Sequence, residues 1–359
     1  MNKKKIAVIC NYRLLPDRVG GMDYFFWAFD AKCKAEGFDV DWFFPNYAVH
    51  GEYGKLHILS DESAILEHVF IAHLSGNESH YTHIFTHFLE LCTPFFRQIK
   101  KYSTAVVIAV DHNPRPLGGY GWIKSIKKRI KGLLFSRCID LFVGVSHYSV
   151  RELIKDFGGQ IKSKCVVIFN GIPTDEILPK KIFDFSTAPK FLTSSHLRYS
   201  KGIQDLIEAV ALLPNPIKLQ MKIDIYGEGP YQPTLMQLTE ERNVAHCFNF
   251  KGSVPDLKKV YREYDYLLHP SHEETFCFAV IEALTAKVVP ITTVEGGNVL
   301  QLIENKKNGL LFHAKQIGEL SALLEQVWEG KNRFDIDNMG VQENFTINHM
   351  VANYVRLLV

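Results

Sequence analysis

Short apolar or β-branched runs alternate along this chain with longer segments whose apolar positions recur at helical spacing. The runs predict strands over 6–10, 40–44, 84–86, 105–110, 141–145 and 166–169, with helices over 22–36, 89–101, 122–135 and 148–157 between them. The pattern then restarts. Strands over 191–193, 223–226, 266–269, 288–292 and 310–312 alternate with helices over 203–213, 234–242, 257–264, 278–284 and 317–328. Continuous apolar strands alternating with helices require a parallel sheet covered on both faces. The expected fold class is therefore α/β, with two doubly wound Rossmann-like domains over residues 1–178 and 190–340 facing one another. Residues 177–190, with Pro179, Lys180, Lys181, Ser186 and Pro189, form the expected linker. Ligands of such sheets bind beyond the carboxyl ends of the strands, which places the expected site in the crevice between domains.

Composition sharpens this picture in three places. A length of 359 residues with 47% hydrophobic and 22% charged residues suits two folded domains and argues against disorder. The net charge of +2 hides an asymmetry: residues 1–200 carry 26 Lys/Arg against 19 Asp/Glu, and residues 201–359 carry 15 against 20. Neither half is basic enough for a nucleic-acid binder, but the first suits an anionic surface or acceptor. The seven cysteines are spread singly with no CxxC pair, which reads as reduced thiols in a cytoplasmic protein. No run approaches ~20 apolar residues, so no transmembrane helix is expected. The five-residue apolar run at 6–10 is too short for a signal peptide.

Residues 122–137 stand apart. Ile123, Ile126, Ile130, Leu133 and Leu134 make one helical face, and Lys124, Lys127, Lys128, Arg129 and Lys131 crowd the rest. Two readings stay open: a basic amphipathic helix lying on an anionic membrane, or a helix whose apolar stripe covers the sheet.

The segment richest in chemistry is 269–284, reading HPSHEETFCFAVIEAL. A strand ends at its start, and a helix begins near Phe276. Glu274 lies in the loop and Glu282 inside the helix. Free amides at a helix start favour an anion such as a diphosphate, and flanking carboxylates can bond sugar hydroxyls. The bland alternative makes Glu273 and Glu274 helix-start residues and Glu282 a surface residue.

Through Pro270, Ser271, Glu274, Phe276, Glu282 and Ala283 this segment resembles the E-x7-E signature of retaining GT-B glycosyltransferases of the family 4 type, the group 1 glycosyl transferases. Thr275 and Cys277 replace the two usual glycines. Further likenesses follow in order. Gly20-Gly21 resembles the glycine-rich first loop. His112, closing a strand, stands where the family places a histidine near the transferred sugar. Residues 143–146 and 168–172 resemble two landmark turns. Residues 194–202, SSHLRYSKG, resemble the loop whose Arg and Lys hold the diphosphate: Lys201 matches, His196 takes the arginine position, and Arg198 is the alternative cation. Gly227 lies in a turn after the next strand, and Gly252, Ser253 and Val254 in a loop that borders the nucleotide base. Residues 295–298 resemble a sugar-side glycine loop, Gln301 follows where a glutamate is common, and 308–312 match another landmark. The helix over 345–359 is similar to one that returns to the first domain.

The resemblance implies a GT-B enzyme that moves a hexosyl-type sugar from a nucleotide diphosphate, UDP by family frequency, to an acceptor hydroxyl with retention. His112, Lys201 and Glu274 would act at the sugar and leaving group. Gly21, His196, Arg198, Gly227, Phe276, Cys277, Phe278 and Glu282 would complete the donor site. No metal or other cofactor is expected; a saccharide or lipid-linked saccharide is the expected acceptor, in surface polysaccharide or glycolipid synthesis. The expected setting is the cytoplasm or the inner face of its membrane. The alternatives are a nucleotide-sugar epimerase on the same fold and a membrane-associated binding protein with a degenerate site. Lys201→Ala and Glu282→Ala are each expected to cost activity heavily with thermal unfolding nearly unchanged.

Overall fold

The structure, a computed structural model, describes residues 4–16, 19–76, 80–181, 188–254, 256–297, 302–332, 334–335, 341 and 343–358. Ser186, Asn298 and Gln301 lie outside them. The chain divides into two compact units, Met1–Pro114 with Gly118–Gly171 and Glu343–Val359, and Arg115–Leu117 with Ile172–Gln342.

The first unit runs β1 (Lys4–Cys10), α1 (Gly21–Ala35), β2 (Phe38–Phe43), β3 (His57–Leu59), α2 (Leu66–Gly76), β4 (Tyr81–His87), α3 (Pro94–Tyr102), β5 (Val106–Asp111), α4 (Trp122–Phe135), β6 (Leu141–Gly144), α5 (His147–Phe157) and β7 (Cys165–Val167). Its strands pair in parallel in the order β3-β2-β1-β4-β5-β6-β7. The chain therefore reverses its winding between β1 and β4, the place where such sheets open at their carboxyl edge. One face is sealed by aromatic residues: Phe25 and Phe29 of α1 pack with Phe85 of β4 and with Tyr354, whose ring lies 4.8 Å from Phe25. The other is an aliphatic and aromatic core built on Ile84, Phe96, Ile99, Val107 and Phe142.

The second unit runs β8 (Phe191–Ser194), α6 (Ile203–Ala211), α7 (Asn215–Lys218), β9 (Ile223–Tyr226), α8 (Gln232–Glu241), β10 (Phe248–Gly252), α9 (Leu257–Val260), β11 (Tyr266–His269), α10 (Phe278–Thr285), β12 (Val289–Thr293), β13 (Leu310–Phe312) and α11 (Ile317–Trp328). Its sheet has the order β10-β9-β8-β11-β12-β13, again parallel, with the reversal between β8 and β11. The last helix, α12 (Ile347–Arg356), belongs to the first unit and carries the Tyr354 just described. Gly171 runs so close beneath its start that a Cβ there would lie 2.4 Å from the Thr346 carbonyl oxygen.

The two-sheet α/β architecture is the one expected. The elements not anticipated, β3, β10, α2 and α7, are mostly short, and β3 and β10 sit at sheet edges where polar residues interrupt the apolar run. Helix α3 begins at Pro94 rather than near residue 89, because Phe88 (φ 58°) and Cys92 (φ 54°) hold left-handed backbone and proline suits a first helical turn.

The core-facing reading of α4 is overturned. Gly132 faces α5 so closely that a Cβ would sit 2.0 Å from the Phe157 carbonyl oxygen, and Lys128 reaches Asp156 at 3.2 Å across the same contact. These residues, with Phe135, are the inward face; Trp122, Ile123, Ile126, Ile130, Leu133 and Leu134 are all exposed. Among the described residues no helix is long and apolar enough to cross a membrane, and all seven cysteines are free thiols.

Candidate functional site

In the second unit the reversal between β8 and β11 brings two loops together. After β8 the chain passes through a short turn, Tyr199–Lys201, and enters α6 at Gly202 with φ 70°. A Cβ at Gly202 would lie 1.9 Å from the carbonyl oxygen of Pro270, which follows β11, so only glycine lets the strands' exit loops run this close. The His272 amide donates to the Ser200 carbonyl at 2.8 Å, and Ser271 Oγ lies 3.3 Å from the same oxygen. His272 is itself buried against Asp205, with Nε2 2.6 Å from the carboxylate.

This stitching places Lys201 on Glu274 as an ion pair, both side chains nearly buried. Glu274 also accepts from Ser271 Oγ at 3.2 Å and lies 3.5 Å from His269 Nε2. Burial pushes its carboxyl up, but the Lys201 charge and the His269 and Lys201 hydrogen bonds outweigh that and bring it down to about 2. Glu274 is thus a carboxylate at neutral pH. The ammonium of Lys201 has three donors, so pairing with Glu274 leaves capacity for an anion.

Glu282, in α10, has the opposite character. Burial pushes it up to about 7, against the Lys258 charge and the Tyr261 hydroxyl, which donates at 3.1 Å. Tyr261 is buried beneath it, and its own oxygen is bonded by Ser194 at the end of β8. Glu282 therefore titrates near neutrality beside the strand end from which the Lys201 loop departs.

Cys277 lies 3.2 Å from His269 Nε2, whose other nitrogen meets Thr292 Oγ1 at 3.0 Å. His269, Glu274 and Cys277 together offer ligand atoms within 4.8 Å of one another. A cation there would sit beside the Lys201 ammonium and would have to take a proton from a thiol that burial and the Glu274 charge hold well above its ordinary value. The cluster is better satisfied as a hydrogen-bonded support for Glu274.

Glycines close the surrounding loops. A Cβ at Gly227 (φ 112°) would fall 2.0 Å from the Ser195 carbonyl oxygen, and the Leu197 amide donates to Glu228 C=O at 2.9 Å, so this turn backs directly onto the Lys201 loop. Gly252 ends β10, and the Ser253 amide meets Glu228 Oε1 at 3.3 Å. On the other side the Gly297 amide donates to Glu274 C=O at 2.8 Å. The structure thus gathers Lys201, Glu274, Gly227, Gly252 and Ser253 into one connected set of loops. Phe276 and Cys277 are buried behind Glu274, and Phe278 opens α10 at the first residue of the helix expected over 278–284, its ring 5.1 Å from Phe276. His196 and Arg198 are exposed on the Lys201 loop, and Val254 is half-buried. His269 and Tyr261 were not foreseen, and Ser271 was named only as a motif match with no role at Glu274; the position of His269 at the end of a central strand is the one signal for it.

In the first unit His112 follows β5 and is buried. Its Nε2 lies 3.0 Å from Nδ1 of His87 at the end of β4, and its ring stacks on Phe88 at 4.2 Å. Burial holds both imidazoles neutral, taking His112 down to about 3, and lowers His87 well below its ordinary value with a smaller contribution from its neighbour His112. Gly21 opens α1, where Asp23 accepts from the Gly20 amide at 2.8 Å and from the hydroxyls of Tyr12 at 2.9 Å and Tyr53 at 2.5 Å.

Residues 174–339, which hold the Lys201–Glu274 site, match the family model described as Glycosyl transferases group 1. The chain is similar to N-acetylgalactosamine-N,N'-diacetylbacillosaminyl-diphospho-undecaprenol 4-alpha-N-acetylgalactosaminyltransferase of Campylobacter jejuni, 26% identical over 52% of this chain and 50% of that protein. It is also similar to N-acetyl-alpha-D-glucosaminyl L-malate synthase of Bacillus anthracis, 25% identical over 49% and 46%. The chain spans about half the length of these two curated relatives. Among solved structures, Anabaena Alr3699/HepE in complex with UDP-glucose superposes with a TM-score of 0.75 over 99% of both chains at 17% identity. The fold of the chain is therefore that of GT-B glycosyltransferase structures.

Proposed function

We propose that this protein is a retaining glycosyltransferase of the family 4 type that moves a hexosyl-type sugar from UDP to an acceptor hydroxyl. One observation carries the reading: a buried lysine and an ionised glutamate meet at the reversal point of a sheet that lies within the segment matching the group 1 model. The Anabaena structure, which holds UDP-glucose on the same fold, supports the choice of donor class.

In this reading Lys201 neutralises the donor diphosphate, with Arg198 or His196 as a second, exposed cation on the same loop, and no metal takes part. Glu274 accepts hydroxyls of the transferred sugar, for which its ionised state suits it. Glu282 accepts the ribose hydroxyls, and the backbone at Gly252, Ser253 and Val254 borders the base. The bond from the anomeric carbon to the diphosphate oxygen breaks as the acceptor oxygen bonds the same face of that carbon, and the acceptor proton passes to the departing diphosphate. Stabilisation of the leaving diphosphate by fixed cations is the main contribution this site makes. His112 and the Gly21 loop of the first unit are assigned to the sugar side, and a saccharide or lipid-linked saccharide, as in polysaccharide or glycolipid synthesis, to the acceptor.

The test is calorimetric titration of UDP followed by a hydrolysis screen across nucleotide sugars. UDP binding that Lys201→Ala weakens at least tenfold, with slow turnover of one UDP-sugar, supports the reading. Absence of binding by any nucleoside diphosphate overturns it. Retention is read from the anomeric configuration of the product, and His112→Ala should lower turnover with UDP affinity unchanged.

A further inference from the structure

We propose that the outward face of α4 docks on an anionic lipid surface, independently of what the second unit transfers. The orientation of this helix is fixed by its inner side. Gly132 abuts the Phe157 carbonyl, Lys128 enters the contact to reach Asp156 and the rings of Tyr120 and Phe157, and Phe135 is buried. A glycine and a half-buried lysine thus occupy the positions that would face the sheet if the aliphatic stripe covered it.

On a helix advancing about 100° per residue, Trp122, Ile123, Ile126, Ile130, Leu133 and Leu134 fall within an arc of about 120° on the opposite side. They are 48–74% exposed, the highest being Trp122 at 74% and Leu133 at 70%. A contiguous face of this kind is rare on a soluble surface and marks an interaction site. Charge decides the occupant. Residues 122–137 contain no Asp or Glu, and Lys127 and Arg129 flank the apolar arc on its two sides without pairing to any carboxylate among the described residues. Apolar side chains bordered by unpaired cations fit the boundary between acyl chains and anionic headgroups, with the terminal tryptophan at the headgroup level. A protein groove of matching apolar shape would not need the two uncompensated cations.

The experiment uses the full chain and sedimentation with vesicles of phosphatidylcholine containing 30 mol% phosphatidylglycerol, against pure phosphatidylcholine, with sedimentation velocity of the protein alone. The expected result is binding to the anionic vesicles at least tenfold stronger than to neutral ones, weakened by 0.5 M NaCl and accompanied by a blue shift of fluorescence that Trp122→Phe removes. Ile126→Ser/Ile130→Ser/Leu133→Ser should lower binding at least tenfold, and Lys127→Glu/Arg129→Glu should abolish the preference for anionic lipid; exposed positions leave the melting temperature unchanged. The proposal is overturned by equal binding to both vesicles, by no binding, by apolar variants that bind as the parent does, or by a dimer in solution that those variants dissolve.

Discussion

Histidines end a central strand in both units, and their surroundings send the local chemistry in opposite directions. At His87 and His112 two imidazoles are buried against one another, and burial leaves both neutral. At His269 a nearly buried carboxylate meets the fixed charge of Lys201, and Glu274 stays ionised. Burial alone therefore does not decide protonation at these strand ends; the presence of an opposite charge does. Glu282 shows the intermediate case, buried with only a more distant lysine and a tyrosine hydroxyl, and it is held near neutrality. Two acids eight residues apart are thereby given different charge states at neutral pH.

The sharpest way to break this contrast is to remove the charge. Lys201→Ala and Glu274→Gln should each lower transfer by about a hundredfold or more. Because the pair is buried, Lys201→Ala should also cost about 3 kcal/mol of stability, seen as a lower melting temperature. This revises the expectation of unchanged unfolding drawn from sequence. Lys201→Met/Glu274→Leu should recover stability while transfer stays lost; recovery of transfer would show the pair to be structural only. Gly202→Ala comes next. It forces a Cβ toward the Pro270 carbonyl at a left-handed position, should cost about 2–3 kcal/mol and should weaken UDP binding by displacing Lys201.

The two acids also make opposite pH signatures in the unliganded protein. Glu274, lowered to about 2, contributes stability that is complete above its ordinary value of 4.5 and lost as pH falls toward 2. Glu282, raised to about 7, binds its proton more tightly when folded, so stability falls as pH rises from 4.5 to 7. Denaturant melts of Glu282→Gln should flatten that fall, by at most about 3 kcal/mol, while leaving the acid limb intact. Equal slopes in parent and variant would remove the assignment. The smallest effect is expected from Tyr261→Phe, which deletes one hydrogen bond to Glu282: about 1 kcal/mol in stability and a few-fold in UDP affinity by titration.

Much of this was legible in the chain, for stated reasons. Buried parallel strands need continuous apolar runs, and β9, β11 and β13 begin and end where those runs do. Lys201 and Glu274 were readable because their loops carry recognisable spacing. Tyr261 was not, because its bonds to Ser194 and Glu282 depend on the strand order, which sets β8 beside β11 although more than seventy residues separate them in sequence; the contacts of His269 and Ser271 with Glu274 depend on how the loop after β11 folds back, which motif spacing does not give. Helix α4 shows the converse failure. Its periodicity gave the limits of the helix, yet periodicity cannot tell which side meets the protein when a glycine and a lysine make the contact.

The position of α12 has a consequence for synthesis. The face formed by Phe25, Phe29 and Phe85 is made early, but Tyr354, which packs against all three, arrives after the whole of the second unit has been translated. The later unit can complete its own sheet on the ribosome, whereas the earlier one waits with an aromatic surface uncovered. The half made first therefore depends on a helix made after the second unit to close its aromatic face, and until that helix emerges the open face is a hazard for aggregation.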